Sequence, residues 1–129
     1  MRLLDTSVAV WLLRGLPGVL QRARELADEL GLPWITQGEL LIGALHHANR
    51  YATTTKVRDF IGDFALLLPD RETAETYARL HADLAMRGAP IPSNDLWIAA
   101  LAVQHEMPVV TSDEHFNRVA GLVVENWLA

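Results

Sequence analysis

Short apolar runs separated by longer helical patterns predict an α/β fold, a single domain with a short parallel β-sheet flanked by helices. Three observations carry that expectation. Leu3-Leu4, Leu66-Leu67-Leu68 and Val109-Val110 are apolar runs of strand length, bounded by polar or turn residues. The segments between them place apolar residues at helical spacing. Leu96 to Val103 is apolar throughout, which marks a helix buried on every side.

The elements follow in order. Residues 2–5 read as a short buried strand. Thr6 or Ser7 can cap a helix through Val8, Trp11 and Leu12 to Arg14, stopped by Gly15. Pro17 opens a second helix, with Val19, Leu20, Ala23, Leu26, Ala27 and Leu30 on one side and Gly31 at its end. Pro33 to Thr36 reads as the second strand. Thr36-Gln37-Gly38-Glu39 then opens a helix that buries Leu40, Leu41, Ala44 and Leu45. Asn49 to Leu66 is mainly helical, weakened at Thr53-Thr54-Thr55 by β-branching. Leu66 to Pro69 is the third strand. Asp70 caps a helix through Tyr77, Leu80 and Leu84 to Arg87, closed by Gly88. Pro92-Ser93 starts the buried helix, Met107-Pro108 ends it, and Val109-Val110 is the fourth strand. Leu122 to Val124 is the last. There is no internal repeat, low-complexity tract or linker.

Bulk properties narrow the function. At 129 residues the chain is one domain with room for a real core. No apolar run approaches a membrane span. Asp5 and Arg14 interrupt the first apolar stretch and no cleavage-type site follows, so no signal peptide is expected. The absence of cysteine excludes disulfides and thiolate metal sites, and the cytoplasm is the expected compartment. A net charge of −5 argues against a general nucleic-acid coat, but not against an enzyme that handles nucleic acid through metal ions.

The acids carry the chemistry. Asp5, Glu39 and Asp113 stand just past predicted strand ends, and Asp95 opens the helix that leads into one. In a parallel sheet, sites form outside the carboxyl ends of the strands, so four distant acids can converge at one edge. Each has a structural explanation of its own. Glu39 completes a capping box with Thr36. Asp95 gains from the helix dipole. Asp113 can cap a short helix through Phe116. Asp5 is the hardest to explain so, because an acid beside a buried core costs desolvation energy unless compensated. Together they would raise each other's pKa values, and a divalent cation removes that penalty. Ligation by oxygen alone favours Mg²⁺ or Mn²⁺. Such ions turn water into a nucleophile and stabilise displacement at phosphorus.

These residues carry a resemblance. Leu3-Leu4-Asp5-Thr6-Ser7, Glu39 after the second strand, Asn94-Asp95-Leu96-Trp97-Ile98-Ala99-Ala100, Val110-Thr111-Ser112-Asp113 with Phe116, and Val119-Ala120-Gly121-Leu122-Val123-Val124 together resemble a PIN-domain ribonuclease of the VapC toxin type. The resemblance spans nearly the whole chain, residues 1–129. It implies that Asp5, Glu39, Asp95 and Asp113 are both the catalytic and the metal-binding acids. The last position varies in that family and is often asparagine, so Asp113 ligates either directly or through water. The resemblance also implies a cytoplasmic toxin that cuts RNA, commonly tRNA or rRNA, as a dimer. It implies neutralisation by an antitoxin that carries the DNA-binding function, so that DNA is met only through the antitoxin. Thr6, Ser7 and Thr111 are candidates to orient the acids or a water, with helix capping as the equal alternative.

Other features read as structural. His46-His47 are adjacent and point apart on a helix. His115 lies near Asp113 and could touch substrate, but an exposed loop position is the expectation for it. Trp11, Trp34, Trp97 and Trp127 are expected as core or interface anchors. Arg50, Lys56 and Arg58 form one modest basic cluster; an RNA phosphate track and a solvated helix face are both open, and the solvated face is favoured. Apolar faces near Leu12 and Leu45 suit either core packing or an antitoxin helix. Two other functions compete. A haloacid-dehalogenase-type phosphatase would need an aspartate where Ser7 stands. A PIN-like binding module without catalysis would not need four intact acids. A P-loop is absent.

Overall fold

The computed structural model describes residues 1–26 and 29–128. Among them, five strands form one parallel sheet in the order β3-β2-β1-β4-β5. The strands are β1 (Arg2–Leu4), β2 (Leu30–Pro33), β3 (Ala65–Leu67), β4 (Val109–Val110) and β5 (Val124–Glu125). Six helices accompany them: α1 (Thr6–Leu13), α2 (Pro17–Glu25), α3 (Trp34–Leu45), α4 (Arg50–Ile61), α5 (Arg71–Met86) and α6 (Ser93–Gln104). The α/β parallel architecture expected from the alternation is therefore present. No helix among the described residues is long and apolar enough to cross a membrane.

The central strands are apolar on both faces because both faces are covered. Leu3 and Val109 enter one core with Leu80, Leu84, Ile98, Leu101 and Phe116. Leu4 and Val110, one residue further along, enter the other with Val8, Leu12, Val19, Leu40 and Val57. The helix apolar on all sides is α6, where Ile98 to Leu101 are fully buried.

Several boundaries differ from the sequence reading. β3 is Ala65–Leu67 rather than Leu66 to Pro69, and β5 is Val124–Glu125 rather than Leu122 to Val124, each set by its pairing with the neighbouring strand. Leu30 and Gly31 belong to β2, not to the end of a helix, and α2 stops at Glu25. Ala27, assigned to that helix from its spacing, lies outside the described residues. β2 pairs with β1 on one edge and β3 on the other, and this double pairing overrides the local helical period. A Cβ at Gly31 would meet Leu67 Cδ1 at 2.5 Å, so that side chain would have to shift to admit one. As a result α3 starts at Trp34, the second residue of the expected second strand, with Pro33 rather than Thr36 at its cap. Glu39 is then the sixth residue of α3 and cannot close a capping box. At α1 the cap is Asp5, whose side chain accepts from the Thr6 N–H, and not Thr6 or Ser7.

Candidate metal centre

The strand order reverses between β1 and β4. The chain fills β1, β2 and β3 to one side and then returns to place β4 and β5 on the other. Such a switch point opens a crevice at the carboxyl ends of the strands. Asp5 follows β1 there, and its N–H continues the ladder to Val110 O at 3.0 Å. Thr111 follows β4. Helix α6 leads directly into β4, so its first turn, with Asp95, begins at the same edge.

Asp5 is buried, with 6% of its surface exposed. Its Oδ1 accepts from Thr6 N at 2.7 Å; its Oδ2 accepts from Ser7 Oγ at 3.1 Å and Thr111 Oγ1 at 2.7 Å. Burial still raises its pKa, against these hydrogen bonds and with a smaller push from Asp113. Thr111 also accepts from Asp113 N at 2.9 Å. Its hydroxyl thus ties the acid after β1 to the one after β4. All three hydroxyls singled out from the sequence, on Thr6, Ser7 and Thr111, touch acids.

Glu39 is joined differently. The Thr6 hydroxyl donates to its Oε1 at 3.1 Å and stands 3.3 Å from Thr36 Oγ1. Thr36 is fully buried and donates to Leu4 O at 3.4 Å. Helix α3 is therefore pinned to the end of β1, with Glu39 on the side toward Asp5.

Asp95 has its pKa raised to about 6. Burial is the largest cause, followed by repulsion from Asp5 and Asp113; His115 opposes the rise and Glu39 adds to it. Asp113 caps the 3₁₀ turn Glu114–Arg118, as expected, accepting from His115 N at 2.9 Å. That turn brings in a group the sequence reading set aside. His115 Nδ1 lies 3.0 Å from Asp113 Oδ1 and 3.9 Å from Asp95 Oδ2. Donor atoms of Asp95, Asp113 and His115 all lie within 4.8 Å of one another. The available signal was Phe116, a buried anchor that fixes the turn and so turns its neighbour into the crevice.

The remaining candidates sit elsewhere. His46 and His47 are exposed at the end of α3. Arg50, Lys56 and Arg58 are exposed on α4, and the two arginines line a hollow with Leu45, Tyr51, Thr54 and Thr55. Trp97 is half-buried, stacked on Tyr77 with ring centroids 3.7 Å apart, and Trp34 meets its edge at 6.1 Å.

Comparison with known proteins identifies the family. A family model described as PIN domain matches residues 2–122. Ribonuclease VapC5 of Mycobacterium tuberculosis is 33% identical over 103 residues, covering 74% of this chain and 73% of that protein. The tRNA(fMet)-specific endonuclease VapC of Salmonella typhimurium is 27% identical over 127 residues, 97% and 96% of the two chains. The crystal structure of DNA-bound VapBC from Salmonella typhimurium superposes with a TM-score of 0.92 at 27% identity, covering 98% of this chain and 99% of that one. The chain belongs to the PIN domain family, in its VapC-type group. Membership removes the phosphatase alternative. Ser7, where that reading needs an aspartate, is instead a hydrogen-bond donor to Asp5.

Proposed function

We propose that residues 1–129 act as one metal-dependent endoribonuclease domain, the toxin of a toxin–antitoxin pair that cuts tRNA or rRNA in the cytoplasm and so stops translation. The observation that carries this is the crowding of Asp5, Asp95 and Asp113 at the β1–β4 crevice, with Asp95 titrating near 6. Folding has assembled charges that repel one another in a partly dry place, which costs stability. A divalent cation relieves that cost, and the donor set fits one. Asp5, Glu39, Asp95 and Asp113 would hold Mg²⁺ or Mn²⁺. Bound there, the ion supplies Lewis acidity and positive charge for hydrolysis at phosphorus.

The chain's own groups prepare that site. Thr111 and Ser7 fix Asp5 Oδ2 and favour its ionised form. Thr6 holds Glu39. The first turn of α6 favours the anionic form of Asp95. Water is the nucleophile in this reading and the RNA 2′-hydroxyl is not used, so the products carry a 5′-phosphate and a 3′-hydroxyl. The named relatives support the RNA substrate and the VapBC structure supports an antitoxin partner. A homodimer completes the proposal, with DNA reached only through the antitoxin.

The test is induced expression in a bacterium of the native chain, Asp5→Ala and Asp95→Asn at matched soluble levels. Arrest by the native chain alone, with tRNA or rRNA fragments bearing 5′-phosphates, is the expected result. Fragments ending in 2′,3′-cyclic phosphate would overturn the mechanism. Arrest by Asp95→Asn with undiminished RNA cleavage would overturn the site. In the purified protein, Mg²⁺ or Mn²⁺ should raise the melting temperature.

A further inference from the structure

We propose that His115 is a direct nitrogen ligand of the divalent ion, beside Asp95 and Asp113, so that this centre favours Mn²⁺ over Mg²⁺ more than an all-carboxylate site would. The inference rests on the proposed metal site and concerns which atoms line it.

The spacing of donors argues for it. An ion with bonds of about 2.1 Å in octahedral geometry sets neighbouring donors about 3 Å apart and opposite ones about 4.2 Å apart. His115 Nδ1 stands 3.0 Å from Asp113 Oδ1 and 3.9 Å from Asp95 Oδ2, within that range. The nitrogen is also buried and makes no aligned hydrogen bond among the described residues. It is near enough to Asp113 for an ion pair, yet its ring N–H does not point along the contact. An imidazole whose buried nitrogen faces two carboxylates without bonding to either is placed as a ligand would be.

The backbone makes the placement rigid. Asp113 caps the turn by accepting from His115 N, so ligand and cap belong to one short loop. Phe116, fully buried in the core under α6, prevents the loop from turning over. Thr111, one step earlier, ties the same loop to Asp5. The chemistry then sets selectivity. Mg²⁺ is satisfied by oxygen and keeps several waters. Transition-metal ions accept imidazole nitrogen more readily.

The experiment is pulsed electron paramagnetic resonance of Mn²⁺ added to the purified native chain, Asp95→Asn and His115→Gln, with Mn²⁺ and Mg²⁺ affinities measured by titration. The expected result is a ¹⁴N coupling in the native spectrum that His115→Gln abolishes. Mn²⁺ affinity should fall at least about tenfold in that variant, the lower end of what losing even an outer-shell partner costs, while Mg²⁺ affinity falls less. Circular dichroism should show the variant folded, as a half-exposed side chain allows. A ¹⁴N coupling that persists in His115→Gln would overturn the assignment. So would Asp95-dependent Mn²⁺ binding without nitrogen coupling, which would leave the proposed function standing. Failure of the native chain to bind either ion would overturn both.

Discussion

Asp70 and Asp95 are acids at the starts of adjacent helices, α5 and α6, and the fold treats them in opposite ways. Asp70 is exposed and well supplied with donors. It accepts from Thr73 N at 3.0 Å and Gln104 Nε2 at 2.8 Å, and Thr73 Oγ1 accepts from Asp70 N in return to close a capping box. The backbone hydrogen bond from Thr73, then that from Gln104, hold its pKa below the usual carboxylate value. Asp95 sits in the first turn of a helix whose cap is Pro92 and which has no side-chain cap. It faces other acids and titrates near 6. One helix start stabilises the fold by satisfying an acid. The other spends stability to hold an acid among like charges, where the proposed function would place a cation. Asp70 is the cap itself and Asp95 the third residue of its helix, and the different neighbours at the two positions move their pKa values in opposite directions.

The largest effect that should separate the two is catalytic. Asp95→Asn should lower RNA cleavage at least about a hundredfold, the upper end of what loss of an outer-shell partner alone costs a metal centre, while raising the melting temperature of the chelated protein. Asp70→Ala should leave cleavage unchanged. Assays of both variants on one RNA decide this, and a comparable loss in Asp70→Ala would erase the contrast.

Next in size is Thr111→Val. It leaves the buried Asp5 Oδ2 short of a donor, at a cost of about 1–3 kcal/mol. Denaturant unfolding in chelator should show that loss, with a further rise in the Asp5 pKa.

A smaller effect lies in pH. Asp95 has a folded pKa raised to about 6 from an ordinary 3.8. Above about pH 6 it is ionised in folded and unfolded chains alike, and the full penalty applies. Between those two values the folded chain binds the extra proton, so the Asp95 contribution makes metal-free protein more stable as pH falls. Asp70 has the opposite sign: its stabilisation holds above the ordinary value and fades as pH drops through its lowered pKa. In chelator, as pH falls from 7 to 4, Asp95→Asn should gain less stability, or lose more, than the native chain. An identical slope would show that Asp95 is not perturbed.

The smallest is the cap itself. Asp70→Ala should lower the melting temperature by only a few degrees.

Much of this was legible in the sequence, and the reason is that local chemistry often marks tertiary position. An apolar run ending in an acid identifies a strand that delivers the acid to the sheet edge, and Asp5 and Asp113 were found that way. The capping of α5 by Asp70 and its stop at Gly88, where φ is +64°, follow from local rules alone. Other boundaries obey long-range forces. Leu30-Gly31-Leu32 fits a helix end as well as a strand, and only its pairing with both β1 and β3 decides. Moving that boundary changed the meaning of Thr36 and Glu39. A capping box became a buried threonine and a carboxylate linked to the start of α1 through Thr6. His115 was set aside because nothing in its neighbourhood shows that Asp95, twenty residues earlier, lies across from it. Spacing places a residue on its own element but does not place two elements against each other.

The hydrogen bond from Thr111 to Asp5 joins residues 106 positions apart. During synthesis the chain therefore emerges with its first acid long before the segment that completes the crevice. Until β4 slots in beside β1, Asp5, Asp95 and Asp113 have no common meeting place. The acid cluster is therefore assembled only once nearly all of the chain has been made and folded.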